Sequence, residues 1–492
     1  MRSVFSAVAQ LAAAALALLV APYYSIRTWA AVVDPDIWWH MRTGDWIMAH
    51  HAVPRNAIFS QHIERPWIAY SWLFDVLVSG LQHRFGLAGL PGFLICLQVL
   101  ISLIFLLAMR HFARNFWWSW IIGSLAIYAF YVNPLRSLLF SLLFFIVELL
   151  IIFEAERRKD DKLLFWTAPL FLLWANLHIQ FIHGLFILAL YLGTRMISQA
   201  ARNWLPLDSR ETSPARLLAI FVAAFVASCI GPNWAYPYKE AFGYAVHAAQ
   251  YEFVQEMLAM NFRRPEHYVE LFLLIAACYV VGRFRSRDLF RPLLLLVTAL
   301  VAFRSLRDAW FLTVAAAFVL AEAVGQAHLP VTAVDEGRRR THLRTNLIYA
   351  LAACATLILS FGMAIRQGMS SPALMTIIDH VYPIRATEFV MDSHLPGPMY
   401  NSFNWGGFLI FNLRDQPVSM DPRVNAYGDE LATRSVNTVN GIHWQDDPDL
   451  ARARFVLLER PAPLASALES DPRYQVAYKD QIAVVFVRTQ FR

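Results

Sequence analysis

Apolar runs recur near residues 4–26, 89–109, 116–132, 136–153, 163–177, 180–196, 214–231, 269–282, 290–304, 308–325 and 343–363, and this succession leaves the chain few folds to adopt. Each run is long enough, or nearly so, to cross about 30 Å of hydrocarbon as a helix. The pattern therefore predicts a polytopic α-helical membrane body over residues 1–363 with about eleven spans. Composition points the same way: 58% of the 492 residues are hydrophobic and 16% charged, less charge than a soluble chain of this length carries. The first run follows a single Arg and reads as a signal peptide or a first span. Its apolar part exceeds a typical signal h-region, which favours an uncleaved signal anchor.

Charge sets a topology. Net charge is +6, but Lys and Arg gather in short connections between apolar runs, at 110–114, 154–162, 283–291 and 336–344. That arrangement orients a membrane protein and is not a nucleic-acid surface, so nucleic acid is excluded as a partner. With all four connections cytoplasmic, parity holds only if 67–83 does not cross. That segment carries Asp75 among Trp and Tyr and suits a helix lying at the interface. The N-terminus is then cytoplasmic. The opposite face receives 27–88, the turn from Asn133 to Arg136, residues 176–180 and 232–268, the turn from Ser305 to Asp308, and everything after 363. Cys96, Cys229, Cys278 and Cys354 all sit in apolar runs without metal-type spacing, as small hydrophobes.

The densest polar cluster follows the first span: Asp34, Pro35, Asp36, Trp38, Trp39, His40, Arg42, Gly44 and Asp45. Two carboxylates beside a histidine at the membrane surface suit a general base or a divalent cation held by Asp34, Asp36 and His40. The alternative is structural: Asp34-Pro35 starts a turn, Asp36 caps a helix, and the tryptophans form an interfacial belt. A second group, Trp174, Asn176, His178, Gln180 and His183, lies where two short runs meet, and reads as a cavity lining or as helix caps. Arg136, Arg304, Arg307 and Asp308 form a third. Arginines on the outer face suit a lipid phosphate, or else Arg307 pairs locally with Asp308. Loop 232–268 brings Trp234, Tyr236, Glu252, Glu256, Arg263 and Arg264; Trp234 and Tyr236 can stack on sugar faces or simply populate an interface.

After Phe361 the apolar runs shorten to strand length. Val418–Met420, Phe455–Leu458 and Ile482–Val487 read as buried strands, with helical pattern at 384–393 and 462–470. Residues 364–492 are thus predicted to form a small α/β domain. Asn404 to Gly407 looks like a tight turn before a strand, since adjacent glycines allow unusual backbone angles. Asp421, Arg423, Asn425 and Tyr427 form either a polar surface or a turn held by an Asp to Arg pair.

The first span, the acidic Asp34-Pro35-Asp36 element and the aromatic segment from Trp67 to Phe85-Gly86 together resemble the GT-C superfamily of membrane glycosyltransferases, which includes protein O-mannosyltransferases and the lipid A aminoarabinose transferase. More narrowly, Asp36 to His40, Gly44, Trp72 to Phe74, Trp174 to His178, Asn404 to Gly407 and Asp421 with Arg423 resemble a group of bacterial membrane proteins, over nearly the whole chain. The resemblance implies a multi-pass protein of the bacterial inner (plasma) membrane, with 27–88 as a first external loop bearing interfacial helices and the tail outside. It further implies inverting transfer of a sugar from a polyprenyl-phosphate-linked donor to a glycan, lipid or protein acceptor, with an acidic residue of the first external loop as base or metal ligand. By position that makes Asp36 the first catalytic candidate and Asp34 the second. His40, Arg42, Asn176, His178, Arg136, Arg304, Arg307, Trp234 and Tyr236 become candidates for binding substrate or membrane lipid. The chain departs from the better-known transferases in its Trp-Trp-His element and in having Arg65-Pro66-Trp67 where they carry Pro-Pro. A lipid-glycan transporter or flippase and a non-catalytic envelope assembly subunit are the competing classes; the lack of internal repeats and the concentration of acids in one loop argue against transport.

Overall fold

The computed structural model describes residues 2–130, 134–204, 207, 212–246, 254–284, 287–327 and 335–489. Asn133 and Glu252, singled out above, lie outside the described residues. The chain divides into two compact units.

The first unit comprises Met1–Thr28, Gly92–Trp234 and Val254–Gln367. Every apolar run of the sequence is a helix here: α1 (Arg2–Thr28), α5 (Gly89–Ala113), α6 (Phe116–Phe130), α7 (Leu138–Arg158), α8 (Thr167–Leu177), α9 (Phe181–Ala200), α10 (Pro214–Ser228), α12 (Pro265–Arg283), α13 (Phe290–Arg304), α14 (Ala309–Ala327) and α15 (Asp335–Arg366). Seven of them, α1, α5, α7, α9, α12, α14 and α15, are long and apolar enough to cross a membrane. The other four are helices of 11 to 15 residues. Helix α14 is buried along most of its length, its alanines letting neighbours approach as small residues do between spans. Its Phe318 interlocks with Phe105, Phe112 and Phe153 of neighbouring helices, Phe153 and Phe318 at 5.4 Å between ring centroids.

The second unit is made of Trp29–Pro91, Ala235–Phe253 and Gly368–Arg492. Its helices are α2 (Ala30–Val33), α3 (Asp36–His50), α4 (Trp72–Phe85), α11 (Tyr236–Val246), α16 (Ser371–Asp379), α17 (Ile384–Asp392), α18 (Gly406–Asn412), α19 (Val424–Val439), α20 (Pro448–Arg452) and α21 (Pro463–Glu469). A four-stranded sheet runs β1 (Met399–Asn401), β2 (Phe455–Glu459), β4 (Ala483–Arg488), β3 (Tyr474–Lys479). Strand β1 is parallel to β2, and the other pairs are antiparallel. Val456, Leu458, Val484 and Phe486 form its core with Leu464 and Leu468 of α21.

The predicted α/β character of the tail, its strands at 455–458 and 482–487, and both predicted helices are present. Two details differ. Val418–Met420 is no strand of the sheet: Val418 forms a single parallel bridge with Ser60, its N–H donating to the Phe59 carbonyl at 3.0 Å. Its extended pattern is satisfied by the 29–91 segment. Gly406 and Gly407 open a helix, not a strand, and Gly406 has ordinary helical angles. The glycines are needed for closeness: a Cβ on Gly407 would lie 2.4 Å from the Pro35 carbonyl oxygen, and one on Gly406 2.3 Å from that of Met420.

Candidate active site

Asp34 and Asp36 divide two tasks at the head of α3. An Asp34 Oδ1 accepts the Asp36 backbone N–H at 3.0 Å, so Asp34 closes the turn. Asp36 accepts from Trp39 Nε1 at 3.2 Å and is the carboxylate of this pair that keeps more of its surface open. The capping role anticipated for Asp36 therefore falls to Asp34. The tryptophans do not form an interfacial belt either. Trp38 is fully buried, its ring centroid 5.7 Å from that of Tyr382, 5.1 Å from Phe408 and 5.5 Å from Phe411, because α18 packs on α3.

One turn into α3, His40 Nδ1 lies 2.5 Å from Asp75 Oδ1. Trp39 stacks on the imidazole at 3.6 Å and Phe74 meets it edge-on at 4.9 Å. Asp75 is completely buried. Burial pushes its carboxyl above the ordinary range, with His40 pulling it back in part. The pair forms because α3 and α4 touch backbone to backbone at Gly44, where a Cβ would sit 2.1 Å from the Asp75 carbonyl oxygen. Asp45, one residue on, accepts from Ser79 at 2.6 Å, His83 at 2.9 Å and Arg414 at 3.2 Å. Arg42 lies over Phe59, 5.5 Å from its centroid, and its buried Nε has no hydrogen-bond partner among the described residues. Burial and then Arg414 lower its pKa.

The tail contributes a second buried ion pair to the same unit. Arg423 donates Nε to Asp421 Oδ1 at 2.8 Å and a terminal nitrogen to Oδ2 at 2.7 Å, and Tyr427 O–H donates to the same Oδ2. The guanidinium plane lies 4.5 Å from the Trp67 centroid, 5.5 Å from Phe59 and 6.0 Å from Trp39. The Asp to Arg turn is thus present, but it reaches into the aromatic floor under His40.

Among the described residues no three His, Cys, Asp or Glu side chains are grouped to hold a metal ion. Asp34 closes a turn, and His40 Nδ1 is engaged by Asp75.

The remaining candidates mostly lie in the first unit. Asn176 donates to the carbonyls of Leu172 and Ile230, both at 2.8 Å, and so ties the end of α8 to the end of α10. His178 Nδ1 and Trp174 Nε1 share Ser141 Oγ, each at 2.7 Å, in a buried relay. Gln180 donates to Asp308 at 2.5 Å. Arg136 and Arg307 converge on Glu256, at 2.6 and 3.5 Å. Burial would raise the Glu256 carboxyl, but the two arginines outweigh it and hold it below its ordinary value. Glu256 and Arg307 line a cavity of about 510 Å³. Arg304 is exposed. Trp234 is exposed in the first unit, whereas Tyr236 opens α11 in the second, its ring under Arg55 at 5.5 Å. Asp75 was missed as a site residue; its one signal is a lone acid in the apolar run Trp72–Val78.

No family model matches the chain, and no curated protein matches it in sequence. Among solved structures it is similar to the crystal structure of ArnT from Cupriavidus metallidurans bound to undecaprenyl phosphate. The two share 12% identity with a TM-score of 0.46, over 97% of each chain.

Proposed function

We propose that the chain is a membrane glycosyltransferase of GT-C type, moving a sugar from a polyprenyl-phosphate-linked donor to a hydroxyl of an envelope glycan, lipid or protein. The observation that carries this reading is the head of α3: a partly open Asp36 stands beside a buried His40–Asp75 pair and a buried Arg423–Asp421 pair. Buried ionisable groups are costly, and a segment needing only to pack would do better with apolar side chains. In the transfer, the acceptor O–H gives its proton to the Asp36 carboxylate as the acceptor oxygen bonds to the anomeric carbon. The bond from that carbon to the phosphate oxygen breaks, and its electron pair leaves with the polyprenyl phosphate. One displacement inverts the centre. To His40 we assign orientation of the acceptor and to Asp75 the positioning of His40. Arg42, in the same unit as Asp36, is the guanidinium we assign to the donor phosphate. Tyr236, also in that unit, offers a face to sugars.

Mass spectrometry of surface glycans and glycolipids, from cells carrying wild type, a deletion or Asp36→Asn, tests this. Loss of one sugar unit in both mutants, with Asp36→Asn still folded and inserted, is the expected result. Full restoration of the glycan by Asp36→Asn would make the carboxylate structural and turn the reading toward transport or scaffolding.

A further inference from the structure

We propose that the first unit holds a saccharide-binding site in the cavity of about 510 Å³ at one end of its helical bundle, with Glu270, His267 and Trp310 bonding the ligand's hydroxyls. Three unmet hydrogen bonds carry the inference. Glu270 Oε2, His267 Nδ1 and Trp310 Nε1 are buried atoms without a hydrogen-bond partner among the described residues, and all three residues line this one cavity. Each side chain is well inside the protein, Glu270 2%, Trp310 3% and His267 4% exposed. Buried polar atoms are nearly always paired in a folded protein, so three orphans around one space mark a place where something else supplies the partners.

Local structure brings the three together. His267 and Glu270 stand three residues apart in the first turns of α12 and therefore share a face. Trp310 is the second residue of α14, which packs along α12. The Leu306 N–H donates to the Leu258 carbonyl at 3.0 Å and the Met260 N–H to that of Phe303 at 3.1 Å, so the wall that Leu258 and Leu306 give the cavity is fixed. Glu256, in the same lining, is satisfied by Arg136 at 2.6 Å and Arg307 at 3.5 Å, and its charge asks nothing of a ligand.

The unmet atoms select among ligand classes. A Glu270 carboxylate needs a donor, the Trp310 indole needs an acceptor, and the imidazole nitrogen takes either. An ammonium group supplies only donors and leaves the indole N–H unmet. An anion supplies only acceptors and would face the carboxyl groups of Glu266 and Glu270. A neutral hydroxyl donates and accepts at once, and several on one ring serve all three groups. Trp310, Phe130 and Leu258 offer apolar surface to the C–H face of such a ring. The volume lies in the range that encloses a small ligand. The sugar is either a soluble saccharide or the head of a glycolipid. Asp36 belongs to the other unit, so the inference does not rest on the sugar-transfer reading.

The test uses the full chain, purified in a detergent that carries no sugar. Saturation-transfer NMR with D-glucose, D-galactose, D-mannose and L-arabinose, each titrated alone, reads contact with the ring protons of the probe. At least one of these should bind, and Glu270→Gln and His267→Phe should each weaken that binding by about tenfold. Glu270→Gln keeps the side-chain shape, and His267→Phe keeps a ring while removing the orphaned nitrogen. Melting temperatures without sugar should therefore hold in both, which separates lost binding from lost folding; if one variant does not fold, the other carries the test. Native mass spectrometry of the chain in phosphatidylcholine nanodiscs containing monoglucosyl diacylglycerol is the second arm. Retention of that lipid without a response to free sugars, reduced in the same variants, assigns the site to a glycolipid head; a response to free sugars assigns it to a soluble saccharide. Undiminished binding in the variants, or no binding of any of these probes, overturns the proposal and leaves the cavity to water. Arg473→Gln, on an exposed side chain of the tail, is the control expected to change nothing.

Discussion

Arg423 carries a full positive charge into a place water does not reach, and two contacts make that tolerable: the bidentate Asp421 and the aromatic face of Trp67. Replacing it with Met keeps much of the volume and leaves the buried Asp421 without its counter-ion, with Tyr427 still donating to it. Arg423→Met should therefore destabilise the second unit by about 3–5 kcal/mol, and adding Asp421→Leu should recover much of the loss. Chemical denaturation followed by Trp fluorescence reads both. Asp449 offers a test in pH. Burial raises its carboxyl, but His62, Arg452 and Arg434 outweigh it and hold the group below its ordinary value of 3.8. As pH falls the unfolded chain takes up this proton first. The stabilisation is thus complete above the ordinary carboxylate range and drains as pH drops below 3.8 toward the folded value. Asp449→Asn should lower the melting temperature near neutrality and flatten its decline below pH 4.

At the scale of elements, the contact of α3 with α4 decides whether His40 meets Asp75. Gly44→Ala forces a methyl group against a backbone carbonyl that has no rotamer with which to escape. It should cost about 1–3 kcal/mol and also reduce sugar transfer by separating the pair, read by melting and by glycan mass spectrometry. Which elements could be read from sequence follows from how local their signal is. The apolar runs became helices because their hydropathy is self-contained, and β2 and β4 were visible because both of their faces are buried. Strand β3 was hidden by outward Gln475 and Lys479 at the sheet edge, and β1 by being only three residues long. Asp36 and His40 stood out as a dense polar cluster. The pairing of His40 with an acid 35 residues away, and the insertion of Arg423 under Trp39 and Trp67, rest on packing between segments that no single stretch of sequence encodes.

For the whole molecule, the two units impose a topological demand. The tail and residues 29–91 share one unit, so both must lie on the same side of any membrane that the spans cross. Parity of the basic connections leads us to expect that side to be the outer one. A reporter active only in the periplasm, fused after residue 363, should be active. Activity of a cytoplasmic reporter at that position would remove the sugar-transfer mechanism along with the topology.

Trp38 is enclosed by Tyr382, Phe408 and Phe411, and Arg423 is set beneath Trp39, so an early segment of the growing polypeptide is finished by a later one. A ribosome that has translated only the spans has released residues 29–91 without these aromatic and cationic partners. Until residues 382–423 emerge, Trp38 and Trp39 lack the groups that cover them. The order of synthesis thus leaves the packing around Trp38 and Trp39 to be completed only as the tail is made.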